Sequence, residues 1–315
     1  MRILVTGGAG FIASHVADRY IELGHEVAIL DDLSRGFRHN VNPRAGFYQG
    51  DIRDRAFLEK VFAEVKPEVV NHHAAQMDVR RGVREPLFDA SVNIIGSVNL
   101  LEAAIAHKIR HFIYISTAGA AYGEPGQLPV PEDFPINPIT PYGISKHTVE
   151  HYLYTFSFLY GLSYTVLRYG NVYGPRQSSK GEAGVFAIFC EQILAGIQPI
   201  IYGDGGKVRD YIYIDDVVDA NVAALNKGNN EIFNIASGVP TTDDQVFFIV
   251  RSLLGKPDLR ARYVARRPGE IERIYLDISK AKRLLEWEPK IPLEIAASHT
   301  VAFFQQTQQS LSQAV

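Results

Sequence analysis

Residues 3–13 read Ile-Leu-Val-Thr-Gly-Gly-Ala-Gly-Phe-Ile-Ala: an apolar run that breaks directly into a glycine loop and then into a helical pattern. No other stretch constrains the fold as strongly. Gly7 and Gly10 let the backbone turn sharply and approach a pyrophosphate, which then sits at the positive end of the following helix. The spacing Gly7-x-x-Gly10-x-x-Ala13 carries alanine at its third position, the smallest side chain available where that helix must pack closely on a sheet. A second apolar run ends in Asp31-Asp32, 18 residues past Ala13, where a carboxylate can take the hydroxyls of an adenosine ribose. Two carboxylates there repel a ribose phosphate, so NAD is expected over NADP. Arg35, close by, is the one feature that leans the other way.

The rest of the first 170 residues repeats the alternation. Apolar runs at 3–6, 26–30, 46–49, 69–72, 111–116 and 163–169 predict strands, and residues 11–23, 56–65, 88–107 and 143–160 predict helices. Several of the runs are continuous rather than alternating, as strands buried on both faces should be. The expected fold is therefore α/β: a doubly wound parallel-sheet Rossmann domain with a smaller α/β C-terminal domain for substrate. After Tyr169, Gly/Pro-rich loops interrupt shorter helices at 185–195 and 215–226. Residues 1–173, with returning segments near 211–236, are expected to form the cofactor domain, and 174–210 with 237–315 the substrate domain. The Gln/Ser-rich tail from Gln305 is expected to fray.

Charge and composition narrow the partners. With 32 Lys plus Arg against 35 Asp plus Glu, the net charge of -3 offers no basic field for a nucleic acid. Cys190 is the single cysteine, so an intramolecular disulfide or a multi-cysteine zinc site is excluded, and "AIFCEQ" reads as a buried helix. No run approaches 18 apolar residues, and Met1 leads almost at once into a strand, so no membrane and a cytoplasmic location are expected. His107/His111 and His147/His151 have i,i+4 spacing, but His111 falls in a strand and no Glu follows either first histidine as in a zinc protease. His72 and His73 should face opposite sides of a sheet. No metal is expected.

Of the 16 tyrosines, only Tyr142 has a lysine four residues later, Lys146, in "PYGISK". On a helix these positions share a face, and a nearby ammonium is expected to lower the phenol's pKa towards that of a useful base. At this point the chain resembles the extended short-chain dehydrogenase/reductase superfamily and, within it, nucleotide-sugar 4-epimerases of the UDP-glucose 4-epimerase type. The resemblance spans nearly the whole chain: "TGGAGFIAS", "LDDLSRG", "GDIRD", "HHAAQ", "SVNIIGSVNLLEAA", "ISTAGAAYG", "PYGISK", "RYGNVYGPRQ", "GEAGV", "GKVRDYIYIDD" and "RRPGE" occur in the family's order.

The resemblance implies NAD contacts at Gly7, Gly10, Phe11, Ile12, Asp31, Asp51, Ile52, Ala74, Ala75, Gln76, Asn93, Tyr142, Lys146 and Tyr169. It implies a catalytic hydroxyl 25 residues before the tyrosine, at Thr117, with Ser116 next in line; a local count from "YG" would reach Ala118, which has no hydroxyl. On the substrate side it implies Asn171 for the nucleotide-sugar, backbone N–H groups of Gly184 and Val185 for a phosphate, Arg209 and Arg267 for the diphosphate, and Glu270 near the nucleotide ribose. Planar guanidinium forks suit phosphate oxygens. A gate beside carbon 2 of the sugar falls on Ile274, or on Arg273 or Tyr275 if the loop is one residue longer or shorter. A homodimer is implied through helices 88–107 and 143–160, with Val92, Ile95, Leu100 and Ala103 on one face and Val149, Tyr152, Phe156 and Leu159 on the other.

The implied reaction is NAD-dependent 4-epimerisation of a UDP-hexose through a transient 4-keto sugar. Related dehydratases and decarboxylases carry acids after the threonine and fucose-type epimerases a cysteine; here Ala118-Gly119-Ala120-Ala121 follows. The alternatives are a 4-epimerase of UDP-glucuronate, UDP-xylose or a UDP-N-acetylhexosamine, or a catalytically silent nucleotide-binding regulatory protein.

Overall fold

A computed structural model describes residues 1–178, 184–267 and 270–313. Seven parallel strands make the central sheet: β1 (Arg2–Thr6), β2 (Glu26–Asp31), β3 (Gly46–Gln49), β4 (Val69–His72), β5 (His111–Thr117), β6 (Ser163–Tyr169) and β10 (Glu231–Ile235). Their order is β10-β6-β5-β4-β1-β2-β3, so the winding reverses between β1 and β4. Ligands bind beyond the carboxyl ends of strands at such a switch point.

The continuous apolar runs follow from this architecture. Ile3 and Val5 pack on one face of the sheet with α1 (Phe11–Glu22) and α9 (Ile214–Ala224), while Leu4 joins Leu30 and Val70 on the other. That second face is covered by α2 (Arg55–Val65), α5 (Gly96–Ala106) and α7 (Pro141–Tyr160). Two smaller sheets lie outside this layer: β7 (Asn171–Tyr173), β9 (Val208–Tyr213) and β11 (Pro240–Thr242) form one, and β8 (Ile200–Tyr202) and β12 (Arg262–Val264) the other.

The expected helix at 88–107 is interrupted. Helices α3 (Val79–Arg84) and α4 (Pro86–Ala90) precede a π turn at Ser91–Ile95, and α5 continues from it. Such wide turns interrupt helices most often at functional sites, and this one holds Asn93. The stretch 86–106 is long and apolar enough to cross a membrane by length and composition, but Asp89, Asn93, Ser97 and Asn99 on it are buried within the fold.

One expectation fails at the C-terminus. The tail does not fray from Gln305: α11 runs Leu293–Gln313, and Gln308 Nε2 donates to the carbonyl of Leu194 at 2.9 Å. Burial of Ala296, Ala297, Val301 and Phe304 anchors the helix, and elongation past an established nucleus needs one residue fixed per added bond.

Candidate active site

The glycine loop fits a dinucleotide. Gly7 has φ +70°, and a Cβ there would lie 2.7 Å from the backbone nitrogen of Ala74. Gly10 caps α1 without a side-chain bond, so the first N–H groups of the helix face outwards for an anion. Phe11 and Ile12 open that helix. Asp31 is buried, and its two oxygens accept from the N–H groups of Ala9 (2.9 Å) and Leu33 (2.8 Å), bracing the loop. Asp32 is exposed, and Arg35 is drawn to Asp78 at 4.0 Å. Two carboxylates thus line the end of β2, the pattern expected for NAD.

The loops after β3 and β4 complete the groove. Arg53 holds the Asp51 carboxylate bidentately and keeps its pKa below the usual range. Ile52 is buried against α5. Ala74 donates its N–H to Thr6 Oγ1 (3.2 Å), and Ala75 follows it, half-buried. Gln76 and Asn93 lock each other: the Gln76 N–H donates to Asn93 Oδ1 (2.8 Å), and Asn93 Nδ2 donates to the Gln76 carbonyl (2.9 Å). Tyr169 is buried, and its hydroxyl accepts from Asn221 Nδ2 at 2.6 Å.

Tyr142 and Lys146 stand on successive turns of α7, whose start is set by Pro141 and by Thr140 Oγ1, which accepts from the Gly143 N–H. A Cβ at Gly143 would meet the Ala120 carbonyl at 2.1 Å, so glycine is required where this turn meets α6 (Gly119–Tyr122). Lys146 is buried, its Nζ 4.3 Å from the centre of the Tyr114 ring. Thr117 ends β5 in register with Tyr169 and is half-buried. Ser116 faces the other way, buried, and donates to Glu150 Oε1 at 2.6 Å. Of the two hydroxyls, Ser116's is the one engaged by Glu150.

The expected charge effect on the phenol is outweighed by burial. Burial, then the Asp89 carboxylate, push Tyr142 up to about 12, and burial pulls Lys146 down to about 7 against Glu150 and Asp89. The i,i+4 spacing registered the pairing of the two groups but not their desolvation, which disfavours the charged form of each.

Three charged residues at this site escaped sequence reasoning. Asp89 accepts from Ser145 Oγ (2.6 Å) and Gln76 Nε2 (3.0 Å) and is fully buried. Glu150 is gripped by Arg168 through Nε (3.0 Å) and Nη2 (2.6 Å), and it also bonds His147 Nδ1 (3.1 Å). Glu150 continues the Tyr142–Lys146 face by one more i+4 step, a signal that was available. Asp89 was marked only by being an acid inside an apolar helical pattern, and Arg168 by nothing local.

On the far side of the groove, Asn171 begins β7 opposite Tyr211 of β9 and is exposed. Gly184 caps α8 (Val185–Leu194), which starts at Val185. Residues 181–183 of "GEAGV" and 268–269 of "RRPGE" lie outside the described residues. Arg209 directs its guanidinium to the carbonyls of Val208 (2.8 Å) and Ile271 (2.6 Å). Arg267 lies over the Tyr202 ring at 3.5 Å and 3.7 Å from Glu270, which Lys207 holds at 3.2 Å. Ile274 is buried with Ala118, Tyr122 and Val130. Arg273 is exposed and Tyr275 half-buried.

The histidines have packing partners. His72 is bonded by Thr6 (2.7 Å) and Ser97 (2.9 Å), and His111 by Ser163 (2.9 Å) and Thr165 (3.1 Å). Among the described residues no three His, Cys, Asp or Glu side chains converge on a possible ion. Cys190 is buried, and burial pushes its thiol up to about 12.

A family model described as the NAD dependent epimerase/dehydratase family matches residues 3–236. The chain belongs to this family. The UDP-glucose 4-epimerase of Mycolicibacterium smegmatis is 42% identical over 98% of this chain and 100% of its own length. The crystal structure of UDP-glucose 4-epimerase with UDP-glucose from Thermotoga maritima is 50% identical and superposes with a TM-score of 0.96, covering 98% of this chain and 100% of that one. The Thermus thermophilus UDP-glucose 4-epimerase complex with NAD is 40% identical, with a TM-score of 0.92 over 97% of this chain and 99% of that one. After Thr117, Ala118 caps α6 and Ala121 lies within it, both buried.

Proposed function

We infer that the chain catalyses the NAD-dependent 4-epimerisation of a UDP-hexose, interconverting UDP-glucose and UDP-galactose through a transient 4-keto sugar. The observation that carries this reading is that β5 ends in a half-buried Thr117 and packs against α7, which bears Tyr142 and Lys146, with no acid in residues 118–121. NAD, when bound, supplies the redox chemistry. Gly7, Gly10, Phe11, Ile12, Asp31, Asp51, Ile52, Ala74, Ala75, Gln76, Asn93 and Tyr169 would line it. Thr117 holds the sugar's O4, Tyr142 takes and returns the hydroxyl proton, and Lys146 holds the cofactor ribose beside it. Asn171, Gly184, Val185, Arg209, Arg267 and Glu270 hold the nucleotide diphosphate, with residues 174–210 and 237–315 forming that half of the site against a cofactor half of 1–173 and 211–236. A cytoplasmic location is part of this reading.

The test is direct: a panel of UDP- and dTDP-sugars, with products identified by NMR. Conversion between UDP-glucose and UDP-galactose without added NAD is the expected result. Absence of turnover with every sugar, with or without NAD, would instead favour a silent nucleotide-binding protein.

Ile274 packs against Ala118, the neighbour of Thr117, and is the proposed gate for sugar size. A β-branched side chain is stiff, so UDP-N-acetyl sugars should turn over poorly, and Ile274→Gly should raise their rate relative to plain hexoses. An unchanged ratio would remove Ile274 from that role.

The proposed dimer changes in detail. Leu100, Ala103 and Val149 are buried within the chain and cover the sheet. Ile95, Tyr152 and Leu159 are exposed on the same stretches, as are Leu87 of α4 and Ile144 of α7. These five residues are the proposed interface of a homodimer.

A further inference from the structure

Two buried carboxylates stand near Lys146, Glu150 one turn further along α7 and Asp89 bonded to the Ser145 hydroxyl that precedes it, and they differ in one respect. Glu150 is already neutralised by the bidentate Arg168 guanidinium, itself buried. Asp89 is buried to 0% exposure and forms no ion pair among the described residues; its hydrogen bonds come from the neutral Ser145 hydroxyl and the neutral Gln76 amide. Burying an unpaired carboxylate is costly, and this one sits where three cofactor-site segments meet. Ser145 precedes Lys146 on α7. Gln76 belongs to the loop after β4 and is locked to Asn93 of the π turn. Asp89 itself ends α4. The packing is close: a Cβ on Gly82 of α3 would come 2.9 Å from Asp89 Oδ2.

We propose that Asp89 is a positioning residue for the reaction: its buried carboxylate is the counter-charge that keeps the Lys146 ammonium charged and in place beside the cofactor. This deepens the epimerase reading and rests on it. The groups acting on Lys146 from the surrounding elements are Glu150 of α7, Asp89 of α4, His72 of β4 with the adjacent His73, and the Tyr114 ring of β5. The histidines are held neutral by burial, and Glu150 is spent on Arg168, which leaves Asp89 as the uncompensated negative charge. The same carboxylate disfavours ionisation of Tyr142, so it biases the pair towards a charged lysine and a protonated phenol until substrate and cofactor are bound.

Asp89→Asn tests this with little change in shape. The new amide can accept from Gln76 and donate to Ser145 Oγ, whose proton can turn to the carbonyl four residues back on its helix. Lysine side chains labelled with carbon-13 at Cε would be titrated by NMR in the holoenzyme, with Lys146 assigned by the signal lost in Lys146→Arg. The expected result is a Lys146 midpoint about one pH unit or more lower in Asp89→Asn, the size of effect that loss of a close opposite charge produces. Ser145→Ala, which keeps the carboxylate, should leave the midpoint within a few tenths of wild type. An unmoved midpoint in Asp89→Asn overturns the assignment. So does failure of both Asp89→Asn and the smaller Asp89→Ser to fold, since Asp89 would then serve stability alone. The titration involves no turnover, so it stands or falls separately from the sugar panel.

Discussion

Tyr142 and Lys146 lie where the chemistry of the pair is set by dryness as much as by proximity. Tyr142→Phe removes the proposed proton acceptor and little else, so turnover should fall by about 10²–10⁴-fold, the usual worth of general acid–base catalysis. Nucleotide-sugar affinity measured by calorimetry should be kept. A near-normal rate would exclude Tyr142 as the base. Lys146 makes a second, pH-dependent prediction. Its proton affinity drops from 10.5 to about 7 on folding, so between those values the unfolded chain binds more protons and unfolding free energy rises with pH. The burial penalty is fully present below about pH 7 and gone above about pH 10.5. Lys146→Met should therefore stabilise the protein stripped of NAD at about pH 6, by at most about 5 kcal/mol at ~1.4 kcal/mol per unit. The gain should shrink to nothing as the pH rises through that window. Urea unfolding at a series of pH values measures it, and a gain that grows with pH would contradict the burial of an ammonium here.

Helix α7 is the element on which the site depends, and its inner face is held by a buried network rather than by apolar packing alone. Glu150 ties α7 to β5 through Ser116 and to β6 through Arg168, whose Nη1 continues to the Tyr122 hydroxyl (2.8 Å) of α6 and the Glu132 carbonyl (3.1 Å). Tyr122 in turn donates to Asn234 Oδ1 (2.8 Å) of β10. The ends of three sheet strands are thereby tied to α7. Arg168→Met leaves Glu150 buried without its partner, which should cost about 3–5 kcal/mol in denaturant unfolding. A loss below about 1 kcal/mol would mean that the site relaxes and the network does not hold α7.

As a whole the molecule exposes Ile95 at the end of the π turn before α5, and Tyr152 and Leu159 on the outer side of α7. Light scattering at micromolar concentration should report a dimer, and Ile95→Glu with Leu159→Glu should convert it to a monomer of unchanged fold; a monomeric wild type would discard the interface. The sheet, its flanking helices and the glycine cradle were legible in the sequence because each depends on local order: continuous apolar runs, a 3.6-residue period, and a glycine, Gly7, where a Cβ would strike Ala74. The pairing of Tyr142 with Lys146 was legible for the same reason, being one helical turn. The engagement of Ser116 by Glu150, from 34 residues away, was not. Nor was the direction of the Tyr142 and Lys146 shifts, since solvent exclusion is produced by β4, β5, α4 and α7 together and leaves no periodic trace in any one of them. Asp89 and Arg168 belong to the same class: a buried charge is defined by what surrounds it, and its surroundings come from distant parts of the chain that meet only once the sheet has formed.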